Sequence, residues 1–407
     1  MNNKSITITG NRITNWENFL VNAFVFYTFW SFFTGFPIAF NGFFRTVLGG
    51  KLDLILTFVM FFVSVFSLAT SPKSFSSQNL KYSFSYTVAL LFIWGLMIIC
   101  ISEVDNSLLT FLFYIPFFIL MRDDLKLLCL DRFVKILSII LTLALIEYFV
   151  FLFFNKGIIL YSGIGRVGFE DLKFYVFDQY LLNIFYTGQV VPRFQCLCEE
   201  PGCIGTLCGF LIYALKGRKE YRYQYFVFII AGAFAFSLAF FALFVLHFFL
   251  NAKGKSQTIT IVLLLFVVGY VVFSEAFNSL LLYRLQGGFQ DADNRLTEDF
   301  GYTFSKALME GGLWLPHGSG AGSFGAGAKM WIWRYGIISF IIVFISYYYC
   351  YWQKVKTYKV SFWPCIVFFI AFWMSFYQRH WIFNIDYMIV FISFPMIYAY
   401  QTNNKDA

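Results

Sequence analysis

Charge is scarce in this 407-residue chain: 13% of its residues are charged and 59% are hydrophobic. Soluble domains carry about 25% charged residues, so the shortage excludes a water-soluble globule and leaves a polytopic membrane protein. Paired C-x2-C spacing is missing too. Cys196, Cys198, Cys203 and Cys208 follow C-x-C-x4-C-x4-C, which is not a structural zinc spacing. They read as small apolar filler, with a disulfide between two of them left open. No metal and no cofactor is expected. No small-residue cleavage site follows the first apolar run, Phe19–Phe40, so it reads as an uncleaved first helix and not a signal peptide. The net charge of +8 lies in short loops between apolar runs. It reports topology, not a nucleic-acid partner. Aromatic residues are abundant, at 23% with 58 Phe. That excess reads as compositional bias and is given no functional weight.

What is present is a series of apolar runs, at 19–40, 54–70, 86–101, 107–121, 134–154, 199–215, 225–250, 258–275, 330–350, 362–377 and 381–400. A span needs roughly 17–25 residues. Lys and Arg in short loops favour the cytoplasm. The basic loops "MRDDLKLLCLDRFVK" (121–135), "KGRKEYRY" (216–223) and "KVKTYK" (354–359) therefore read as inside, and "SEVDNS" (102–107), without Lys or Arg, as outside. Parity then constrains 225–250. A single crossing there would put "NAKGK" (251–255) and "KVKTYK" outside. A break near "FAFSLAF" (234–240) that turns the chain back keeps every basic loop inside. Backbone broken at membrane depth is tolerated only where protein shields it. The expected fold is an all-α polytopic membrane protein of one domain, residues 1–407. It has about twelve membrane segments, an interrupted short pair near 225–250 and both termini cytoplasmic.

Two outer loops are long, 155–198 and 276–329, and long loops of this kind are usually functional. In the first, "FYVFDQYLLNIFY" (174–186) reads as a helix lying on the membrane interface. In the second, "LTEDFGYTFSKALMEGGLW" (296–314) has apolar residues near helical spacing, followed by the Gly-rich elbow "LPHGSGAGSFGAGAKMW" (315–331). The elbow lacks the Lys-Ser/Thr ending of a P-loop. Arg193, Arg284 and Arg295 lie on the outer side, against the inside bias. The guanidinium fork suits phosphate and pyrophosphate, although an arginine there also snorkels to lipid headgroups. Inside the spans, Glu147 and His247 are costly unless they face protein.

The segment "RFQCLCEEPGCIGTL" (193–207) resembles the Arg…Glu-Pro segment of Wzy-type O-antigen polymerases, within the wider polymerase and O-antigen ligase group. The stretch "YRLQGGFQDADNRL…GSGAGSF…YGIISFIIVFIS" (283–346) is similar to that group's second outer loop, and "FAFSLAFFALFVL" (234–246) to its interrupted segment. The ligases' His-Asn pair after the elbow is missing from "GAGAKMWIWRYG" (325–336), and His317 lies out of register, which favours the polymerase over the ligase. The resemblance implies a GT-C-like membrane fold in the bacterial cytoplasmic membrane. It also implies inverting, metal-independent joining of undecaprenyl-pyrophosphate-linked repeat units at the periplasmic face. Its implied partners are lipid-linked glycan donor and acceptor, membrane lipid and a chain-length regulator. On that reading Arg193 and Arg295, with Arg284 second, hold the departing pyrophosphate. Glu200, then Glu199, stands as the base, with capping of the following helix as its competing role, and His380 beside Arg379 is a further base candidate. The alternatives are an O-antigen ligase, a secondary transporter with a broken central pair, or a non-enzymatic lipid-binding scaffold.

Overall fold

The computed structural model describes residues 13–32, 51–103, 106–154, 159–164, 173–177, 183–186, 193–198, 201–251, 298–318, 327–378 and 383–403. In chain order these hold helices α1 (Asn15–Phe32), α2 (Lys51–Thr70), α3 (Ser77–Ile101), α4 (Asn106–Leu120) and α5 (Asp123–Phe154). Four strands follow, β1 (Ile159–Ile164), β2 (Lys173–Phe177), β3 (Asn183–Tyr186) and β4 (Arg193–Cys196). The remaining helices are α6 (Pro201–Leu215), α7 (Arg222–Phe234), α8 (Leu238–Asn251), α9 (Glu298–Met309), α10 (Ala328–Thr357), α11 (Phe362–Gln378) and α12 (Ile385–Asn403). Three of these, α3, α5 and α10, are long and apolar enough to cross a bilayer, and shorter apolar helices accompany them. The chain is a helical membrane protein. The expected run at 258–275 lies outside the described residues.

Apolar residues point both inward and outward, as lipid requires. On α5, Leu137, Leu141, Ala144 and Tyr148 are fully buried, while Ile139, Ile146 and Phe153, seven residues apart, are exposed along the other side. Helix α6 differs: every one of its fifteen residues is buried, which makes it the central element. Its glycines allow a close approach, since a Cβ at Gly205 would collide with the Ser237 side chain. Small residues serve helix contacts in membranes in this way.

The apolar run 225–250 is broken. Helix α7 ends at Phe234 and α8 starts at Leu238, with Phe236 between them in the left-handed region (φ 45°). The break reverses the chain. The Tyr225 hydroxyl lies 3.1 Å from His247 Nε2, and Gly232 lies against Phe240, so early α7 meets late α8. Helix α8 runs parallel to α6, with Gly205 against Ser237, Gly209 against Leu243 and Tyr213 against His247. Asn251 therefore lies at the same end of the bundle as the 216–223 loop.

The first long loop departs from the helical pattern: β1-β2-β3-β4 form an antiparallel sheet there, in that order. The helix expected over 174–186 is instead parts of β2 and β3, with Lys173 opposite Tyr186 and Phe174 opposite Phe185. "KFYVF" and "NIFY" are aromatic and β-branched, which favours strands, and periodicity alone does not separate short apolar runs. The helix expected in the second long loop is present as α9. Its Phe300 and Phe304 pack with Leu313 of the following turn and Trp333 of α10.

Helix α10 bends at Gly336, whose φ is +84° inside the helical run. A Cβ there would stand 2.7 Å from the Trp314 carbonyl oxygen. Gly336→Ala is expected to cost about 1–3 kcal/mol through combined strain and collision. It should melt earlier in detergent, and a variant melting like the parent protein would contradict this packing.

Candidate functional site

The bundle has two chemically distinct ends. At one end, Asp123 at the start of α5 receives Lys354 Nζ at 2.6 Å, Lys126 Nζ at 3.1 Å and the Tyr358 hydroxyl at 2.8 Å. Asn79 accepts from Lys354 at 2.7 Å. Arg122 pairs with Glu17 at 3.0 Å and Asp124 at 2.8 Å. The Tyr221 hydroxyl donates to Asp131, and Arg132 donates to the Asn18 side chain at 2.7 Å. These contacts tie the three basic loops and the start of α1 together at one end. Burial alone would raise the Asp123 carboxyl, but Lys126 and Lys354 outweigh it and hold it well below the carboxylate range. Burial also pulls the fully enclosed Lys126 ammonium down to about 8, although Asp123 pulls the other way. The two groups shift in the same direction for different reasons, and the carboxylate shift carries the pairing.

The other end gathers the sheet, the α7–α8 break, the 102–103 and 315–318 segments and the start of α12. A Cβ on Gly318 would meet Glu103 Oε1 at 2.8 Å. The Trp331 and Phe383 rings stand 6.0 Å apart. His317, which reads from sequence as out of register, lies 4.4 Å from the Trp333 ring and donates its backbone N–H to the Trp333 carbonyl at 3.0 Å.

Arg193 opens β4 at this end. Phe194, the next residue, turns to the opposite face and packs against Tyr148 of α5, 5.5 Å between rings. The buried Arg193 side chain donates Nε–H to the Ala235 carbonyl at 3.0 Å and Nη2–H to the Phe236 carbonyl at 3.1 Å. A guanidinium at the carboxyl end of α7 is favoured by the helix dipole. This contact joins the first long loop to the break in the central pair. Cys196 ends the strand in the left-handed region (φ 55°), and Gln195 Nε2 donates to the Cys198 carbonyl at 2.6 Å, steering the chain into α6.

Of the residues expected to act, Glu199, Glu200, Arg284, Arg295 and His380 lie outside the described residues. Cys198 and Pro201, which bracket the glutamates, are both buried. The four clustered cysteines form no disulfide. Burial pushes the Cys196 thiol up to about 12. Among the described residues no group of three or more His, Cys, Asp and Glu side chains is placed to hold a metal.

Asp386, in the first turn of α12, is the residue the sequence reading passed over. It is fully buried, and no side chain among the described residues donates a hydrogen bond to its carboxyl. Its own backbone N–H and that of Tyr387 serve the carboxyl instead. The available signal was an acidic residue inside an apolar run, which is costly unless used. Comparison of the chain with family models, curated proteins and solved structures finds no match.

Proposed function

We propose that this chain polymerises undecaprenyl-pyrophosphate-linked oligosaccharide repeat units at the outer face of a bacterial cytoplasmic membrane. The growing glycan leaves its lipid pyrophosphate, and a hydroxyl of the incoming unit takes the anomeric carbon. A single base acting opposite the leaving group inverts that centre. Glu200 serves as base, with Glu199 and His380 as the other candidates, and Arg193, Arg295 and Arg284 supply counter-charge to the pyrophosphate. The observation that carries this reading is the division of the bundle: basic loops meet at one end, while Arg193, the sheet and the break meet at the other. Lys and Arg loops favour the cytoplasm. On this reading the sheet end is outside, about twelve segments cross, both termini are cytoplasmic and the membrane fold is GT-C-like.

Sidedness has its own test. Asn251→Cys is expected to react with an impermeant maleimide only from the side on which Lys219→Cys reacts. Labelling of the two from opposite sides would undo the returning pair. The activity is tested with purified protein, the lipid-linked repeat unit and a chelator, without nucleotide. A ladder of products is expected. A transporter, the rival that the broken central pair also fits, would move the substrate across a vesicle membrane and leave its length unchanged.

A further inference from the structure

The turn that closes α9 leaves large apolar side chains uncovered. Phe300 and Phe304 commit one face of the helix to Leu313 and Trp333. Leu308, Met309, Trp314 and Leu315 are exposed, Met309 by 86% and Trp314 by 52%. Single exposed apolar residues are ordinary, whereas a group of them marks a contact surface.

Depth in the bundle decides what covers this group. A Cβ on Gly336 would crowd the Trp314 carbonyl oxygen and the Leu315 backbone, so the turn stands at the bend of α10. From that bend α10 runs to Lys354 in the basic cluster. Residues 337–354 rise about 27 Å as a helix, close to the roughly 30 Å of a hydrocarbon core. Ile341, Ile345 and Tyr348 are exposed along that stretch, so the lipid-facing stripe of α10 begins just past the bend. Helix α3 gives the same level independently. Its Tyr82 ring lies 5.9 Å from Lys354 Nζ. The exposed Ile99, near the other end of α3, is about 26 Å farther along by helical rise. A Cβ on Gly318 would meet the Ile101 side chain at 2.7 Å, and Ile101 closes α3. The segment 312–318 therefore crosses from α10 to α3 at the edge of the apolar belt, the layer that Trp favours in membranes. The flanking charges, Lys306 and Glu310, pair at 3.9 Å and offset each other, which leaves apolar area as the source of attraction.

We propose that Leu308, Met309, Trp314 and Leu315 insert into the headgroup layer of the leaflet at the sheet end and pin the second long loop to the membrane surface. The partner is bilayer lipid, met through apolar side chains and without preference for anionic headgroups. This anchor stands whether or not the chain is a polymerase.

Full-length protein in nanodiscs holding one copy each tests the anchor. Cys100, the exposed cysteine, is changed to Ser, and Met309→Cys or Trp314→Cys then carries a nitroxide. Oxygen concentrates in lipid and a nickel chelate stays in water, so their relative effects on the label report its depth. Each label is expected about 5–10 Å below the headgroup surface, at the same depth in neutral and in anionic lipid. Lys219→Cys in a basic loop supplies the aqueous reference. Melting of each labelled variant reports its fold, and either position alone decides the outcome. Labels as open to the nickel chelate as the one at Lys219 would overturn the anchor. Labels closed to both agents would overturn it too, by giving the surface to a protein partner. Depth that appears only in anionic lipid would overturn the apolar mode of attachment.

Discussion

If the chain is the proposed polymerase, Glu200→Gln and Arg193→Gln are each expected to abolish long-chain product while single repeats accumulate on lipid. Loss of a general base costs typically 10²–10⁴-fold in rate, and loss of one charge-stabilising group about 10²–10³-fold. Arg193 needs separate treatment because it also holds the carbonyls of Ala235 and Phe236 at the α7–α8 break. Gln at that position can still donate an N–H to a carbonyl but carries no charge. The account expects Arg193→Gln to melt close to the parent protein and to lose the ladder. Retained polymer length in Arg193→Gln would reduce Arg193 to a structural contact. Retained length in Glu200→Gln would move the base to Glu199 or His380.

The second large effect lies at the opposite end and concerns stability. Asp123→Ala leaves Lys126, which is wholly enclosed, and Lys354, nearly so, without their shared carboxylate. Breaking a buried ion pair by removing one partner costs about 3–5 kcal/mol, so the variant should melt far below the parent protein or fail to accumulate. The same pairing fixes a pH dependence. The Asp123 carboxyl is lower in the folded than in the unfolded chain, so the folded state binds fewer protons as the medium is acidified. Its stabilising share is complete above about pH 4, the ordinary aspartate value, and is lost as pH falls through the lower folded value. Melting of the parent protein should decline over that acid interval, and Asp123→Asn should flatten the decline. An unchanged acid slope in Asp123→Asn would assign the acid sensitivity to other carboxylates.

Much of the bundle was legible in the sequence because lipid imposes simple rules. Apolar runs marked the helices, and loop charge with parity placed a reversal near 234–240, where Phe236 now stands between α7 and α8. The sheet was not legible. "FYVFDQYLLNIFY" carries apolar residues at spacings that fit either a helix or a hairpin, and the choice is made by pairing with β1 and β4, which one segment cannot report. Helix α9 was legible because Phe300, Phe304 and Ala307 are spaced for one face. The role of Arg193 was half legible. Its type and place pointed to use, but its hydrogen bonds to Ala235 and Phe236 depend on a contact 42 residues distant in sequence. Asp386 was passed over because a lone carboxylate in "FNIDYMIV" is outweighed by its apolar neighbours, and only the fold shows that it is fully buried with no side-chain donor among the described residues.

On the proposed function, glycan chemistry belongs to the end of the bundle opposite the basic loops. Proteoliposomes sorted to a single orientation, with lipid-linked repeat units supplied to one leaflet only, test it most directly. A product ladder is expected when the leaflet beside the sheet is charged, and none when the leaflet beside Asp123 and Lys354 is charged. A ladder from the basic side, or from neither, would contradict it.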